Sequence, residues 1–96
     1  MNDAAMLASL KIDLGITATA YDARLQELLG FAKDAIIAEG ATDLDPSAST
    51  EDAQLVVMYA GWLWRRRDTQ DGMPRMVRWA LNNRIFGQVM RGEATT

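Results

Sequence analysis

Four stretches of apolar residues at helical spacing, parted by breaks that carry glycine or proline, leave this chain of 96 residues little choice but a helical bundle. The first presents Met6, Leu7, Leu10 and Leu14 from a start near Asn2 or Asp3. It stops at Gly15, a residue suited to a left-handed cap, with Ile16 placed for the apolar contact that accompanies such caps. The second, from about Ala20 to Glu39, repeats Tyr21, Leu25, Leu28, Leu29, Ala32 and Ile36 before Gly40. Thr19 and Asp22 ahead of it read as a capping-box-like pair. Residues 41–49, rich in Ala, Asp, Ser and Thr and holding Pro46, predict a flexible loop. Ser49 and Asp52 then mark the third start, whose helix carries Leu55, Tyr59, Trp62, Leu63 and Arg66 on one face. Gly61, in mid-helix, predicts close approach by a neighbouring backbone. No strand-period alternation and no internal repeat interrupts the pattern. The expected fold is a single all-α domain, a small bundle of about four helices.

The fourth pattern is unusual. After Gly72 and Met73, Pro74 fits the first turn of a helix running to about Phe86, with Gly87 either ending it or merely weakening it and a loose tail from between about residue 88 and Gly92. At about 100° per residue, Val77 and Leu81 share one face while Trp79, Phe86 and Met90 share the opposite one. A helix in so small a domain buries one face inside its own fold. A second apolar face points to coverage by another molecule.

Composition removes most chemistries. The chain has no histidine, so the commonest general base and zinc ligand are both missing. It has no cysteine, which excludes a disulfide framework or a thiolate metal site. No acidic pair stands out as catalytic and no glycine cluster resembles a phosphate loop, so neither an enzyme nor a cofactor is expected. Asp43, Asp45, Ser47, Ser49 and Glu51 alternate like the ligands of a calcium loop. That motif fails at Ala48, where it requires glycine, and at Gln54, where it requires glutamate. No apolar run reaches the length of a membrane span, and the first residues do not read as a signal peptide, which leads to the expectation of a soluble, cytoplasmically made protein with no membrane partner.

Charge is divided along the chain. Residues 1–52 hold ten acidic and three basic side chains, whereas residues 53–96 hold three acidic and seven basic ones, all arginine. Such a division suits a nucleic-acid face, or a head-to-tail contact in which the positive part of one subunit meets the negative part of the next. Arg65, Arg66 and Arg67 point in three directions around their helix. Arg66 falls on the Tyr59–Trp62 face and is expected partly buried against a carboxylate or helix terminus, whereas Arg65 and Arg67 are freer to reach a partner. Trp64 lies about 200° from Trp62, and Trp79 is similarly displaced from Val77 and Leu81. Tryptophan and arginine dominate binding hot spots, so Trp64, Arg65, Arg67, Trp79 and Phe86 are the candidate contact residues. Arg66 and Arg84 are the candidates for structural pairing. A base-reading helix-turn-helix is disfavoured by the five-residue turn and the apolar fourth helix.

The order of these pieces resembles the head–tail connector (adaptor, or head-completion) proteins of long-tailed bacteriophages. The resemblance runs from about Leu10 to Phe86. It rests on Leu10-Lys11 with Leu14 and Ile16, on Asp22, Leu25, Leu28, Ala32 and Ile36, on Trp64 with Arg67-Asp68, and on Pro74, Val77, Leu81 and Arg84. The chain departs from that family at Arg65 and Arg66, where polar or acidic residues are usual. The resemblance implies a structural virion protein made in the host cytoplasm and located at the neck between capsid and tail. Its partners would be further copies of itself in a ring on the portal, matching the portal's twelvefold symmetry, the portal protein, and the next neck or tail protein. The ring would extend the DNA channel, with non-specific contact to passing DNA. The alternative is a small Arg-rich nucleic-acid-binding or regulatory helical protein.

Overall fold

The computed structural model describes residues 1–66 and 75–93. It is a small all-α bundle of four helices: α1 (Asp3–Leu14), α2 (Asp22–Glu39), α3 (Thr50–Arg66) and α4 (Arg75–Glu93), with a 3₁₀ turn at Thr19–Tyr21. Pro74 and the Gly72–Met73 turn lie outside the described residues.

α1 begins where its sequence dictates. The Asn2 side-chain oxygen accepts the Ala5 N–H at 2.8 Å, satisfying a donor that the first turn cannot pair internally. At its other end Gly15 adopts φ 70°, and the Ile16 N–H returns to the Lys11 carbonyl at 2.9 Å. α2 starts differently from the expected capping box. Thr19 enters the 3₁₀ turn, no side chain caps the helix, and Asp22 instead meets the Lys11 ammonium at 2.8 Å. A charged partner one helix away outcompetes the local cap, and it ties α1 to α2. Tyr21 consequently leaves the core stripe and stands exposed.

The core forms around α3, which packs against each of the other helices. Leu10 of α1, Leu25 and Ile36 of α2, Val56 and Val57 of α3, and Leu81 of α4 are the largest fully buried side chains. Each contributes about 1.5–3 kcal/mol by leaving water. The expected face of α3 is buried at Leu55, Tyr59 and Leu63, but Val56, Val57 and Ala60 are buried too. α3 is therefore enclosed on more than one side, which the single-face reading missed.

The loop between α2 and α3 is tied down at several points. Asp52 accepts the Asp45 N–H at 3.0 Å, and the Asp45 carboxylate takes the Ser47 hydroxyl at 2.6 Å and the Ala48 N–H at 3.3 Å. Those bonds, the Ser47 one foremost, hold the Asp45 carboxyl below the usual carboxylate range. Ser49 begins α3, its hydroxyl accepting the Asp52 N–H at 3.3 Å.

α4 does not end near Phe86 and no loose tail begins at residue 88; Gly87 does not end the helix, which continues to Glu93. Gln88 explains the continuation. Its amide donates to the Gly40 carbonyl at 2.6 Å and the Thr42 hydroxyl at 3.0 Å, and accepts the Asp43 N–H at 3.0 Å. Three bonds to the loop between α2 and α3 outweigh the roughly 1 kcal/mol that a mid-helix glycine costs. Gly40 turns the chain at φ 133°, a conformation that favours glycine, and packs beside Ile85 of α4.

Gly61 corrects another expectation. No neighbouring backbone approaches it; an added Cβ would meet the Leu10 side chain at 3.7 Å and the Arg65 side chain at 3.9 Å, both ordinary contacts. Gly61→Ala should therefore raise stability by up to about 1 kcal/mol through helix propensity. A higher urea midpoint at unchanged slope checks it.

Candidate subunit-contact surface

α4 is held against the bundle along one side. Val77 and Leu81 enter the core, and Arg84 reaches across to α3 and the preceding loop. The Arg84 Nε–H donates to Asp52 Oδ1 at 2.6 Å, and one terminal NH2 donates to Asp43 Oδ1 at 2.6 Å and to Asp52 Oδ2 at 3.3 Å. Asp52 is buried, and it also accepts the Asp45 N–H, so its second oxygen is shared by loop and guanidinium. The Asp52 hydrogen bond, against the opposing loss of hydration, holds Arg84 more firmly protonated than a free arginine, and Asp43 adds to this. Arg84 thus pairs with two carboxylates from separate parts of the chain.

With that side fixed, the opposite side of α4 is turned outward. Trp79 is 60% exposed, Phe86 65% and Met90 55%. Val89 is nearly half exposed and extends the apolar area; its helical position beside Phe86 was the signal that sequence reasoning passed over. The Trp79 ring also walls a groove of about 540 Å³ between α3 and α4, with Leu55 and Met58 on its floor side and Gln54 and Asn83 at its rim. Two faces of one helix, one packed and one bare, are what the alternation of apolar residues in 77–90 demands.

The remaining candidates are scattered rather than gathered beside this stripe. Trp64 is half-buried, its ring edge-on to Tyr21 with centroids 5.6 Å apart. It therefore braces the turn before α2 as well as reaching the surface. Arg65 is exposed and donates to the Asp13 carbonyl at 3.3 Å, close to the C-terminal end of α1. Arg66 corrects the expectation of a partly buried, carboxylate-bound side chain. It is exposed, and its guanidinium stacks 4.8 Å from the centroid of Trp62. Trp62 lies one turn back, so the planar cation finds an aromatic face before any acid. Arg67 lies outside the described residues.

Two exposed apolar side chains elsewhere were not singled out from sequence: Ile12 on α1, and Phe31 on α2, which is 61% exposed. Phe31 sits in an otherwise polar face with Glu27 and Asp34, and that isolation was its sequence signal. Among the described residues no group of acidic side chains is arranged to hold a metal ion, and no helix is long and apolar enough to cross a membrane. Compared with protein-family models, curated proteins and solved structures, the chain matches none.

The Arg84 clamp makes a direct prediction. Arg84→Ala leaves the buried Asp52 carboxylate without its counter-charge and should cost about 3–5 kcal/mol. Arg84→Lys restores charge without the planar fork and should recover only part of the loss. Urea denaturation of both variants measures the difference.

Proposed function

We propose that this chain is a structural connector subunit. In this reading it forms a ring beneath the portal of a long-tailed bacteriophage, extends the DNA channel, and gives the next neck or tail protein its docking surface. The observation that carries the reading is the bare apolar stripe of Trp79, Phe86 and Met90, opposite the packed face of the same helix. An exposed stripe of large side chains on an otherwise well-packed subunit is a surface built for a protein partner. The division of charge between the two halves of the chain supports a contact between unlike patches, the kind that repeats around a ring. The ordered likeness of Leu10–Phe86 to the connector family supplies the biological setting.

A second reading is favoured by the exposed guanidinium groups of Arg65, Arg66 and Arg75, which could meet a nucleic-acid backbone. Binding to duplex DNA that weakens steeply with salt, without any binding to a portal, would favour it.

The test is to mix the chain with its cognate portal and image the product. The connector reading expects an added layer of density with the portal's symmetry. Trp79→Asp should melt within about 0.5 kcal/mol of the parent, because its site is exposed, yet fail to decorate the portal. Portal particles that stay bare with the parent chain would sink the assignment.

A further inference from the structure

The bare stripe of α4 has a matching surface on the same molecule, pointing elsewhere. α2 and α4 both lean on α3 and turn their outer faces away from it, so neither can cover the other within one subunit. The outer face of α2 carries Ala23, Glu27, Gly30, Phe31 and Asp34, all exposed. Gly30 is the informative residue. It sits in mid-helix, where glycine weakens a helix, and a Cβ added to it would meet nothing within 4 Å. Gly30 borders a groove that Asp3 and Met6 of α1 also line, yet no atom of the subunit lies close enough to account for its lack of a side chain.

From this placement we infer that the outer stripe of α4 docks on the outer face of α2 of a second copy, the helices antiparallel and Trp79 seated over Gly30. The inference deepens the connector reading and rests on it for its setting, though its test needs no portal. The register follows from spacing. On α4, Arg75, Trp79, Asn82 and Phe86 succeed one another at intervals of four, three and four residues. Read in the opposite direction, Asp34, Gly30, Glu27 and Ala23 on α2 have the same intervals. Antiparallel alignment therefore sets Arg75 against Asp34, Trp79 over Gly30, Asn82 beside Glu27 and Phe86 over Ala23. A cation meets an anion, an amide meets a carboxylate, and each large ring meets one of the two smallest residues on the face. Among the described residues neither Arg75 nor Asp34 makes an ion pair inside its own subunit, so both charges are available.

Because the two patches differ, each copy has one of each and the contact propagates head to tail. That allows a mixing experiment in which each variant blocks one patch. Gly30→Arg spoils the α2 face and keeps α4 intact; Trp79→Asp does the reverse. Both sites are exposed, and circular dichroism should show both variants folded. In sedimentation velocity up to millimolar concentration, the parent should form species larger than a dimer. Each variant alone should associate at least tenfold more weakly. Their equimolar mixture should give a discrete one-to-one dimer that grows no further, since one intact patch of each kind remains.

Self-association of Gly30→Arg at parental strength overturns the inference and points to contact between two α4 stripes. A mixture that stays monomeric, or a parent that is monomeric throughout, overturns it as well. If the mixture fails while the parent still decorates the portal, only this contact is wrong. If the mixture pairs but the portal stays bare, the contact stands and the connector reading falls.

Discussion

The ion pair between Arg84 and the buried Asp52 organises this small molecule. It joins α4 to α3 and, through the second Asp52 oxygen and through Asp43, joins both to the loop between α2 and α3. Charges out of water are expensive unless every lone pair is used, and here most are. Two hydrogen bonds to Asp52 and one to Asp43 fix the rotation of Arg84, and Val77 and Leu81 fill the same side of the helix with hydrocarbon. The rotation of α4 about its own axis is thereby set. What it shows to solvent follows from that setting, because residues half a turn away have nowhere else to go.

Much of this was legible from residue spacing. The core positions Leu10, Leu25, Ile36 and Leu81 follow from helical period, and the Gly15 cap from its place after an apolar repeat. The opposed faces of α4 were equally readable, because Trp79 and Phe86 are seven residues apart and Leu81 lies between them in the other direction. These features depend on local geometry alone.

Features that depend on a distant partner were hidden. Asp22 resembles a cap until Lys11 is known to lie 2.8 Å away. Gln88 looks like the first residue of a frayed end until Gly40 and Thr42 are found within reach of its amide. Arg66 invites a carboxylate, yet the Trp62 ring one turn back is nearer. Gly61 and Gly30 look alike in sequence, both mid-helix, but one lies against the Leu10 side chain and the other borders an open groove with no atom within 4 Å of where a Cβ would stand. Composition gave no sign of which was which.

Gly40 has a wider effect than its size suggests. With hydrogen where other residues carry a Cβ, it leaves room for Ile85, and the packing of α4 against the end of α2 helps to set how α4 leans across its neighbours. In a head-to-tail array that inclination fixes the angle turned between one copy and the next. A closed circle tolerates only a narrow range of such angles, and an error in them yields a spiral. The circumference of any such assembly would thus depend in part on packing at the end of α2, far from where the copies touch.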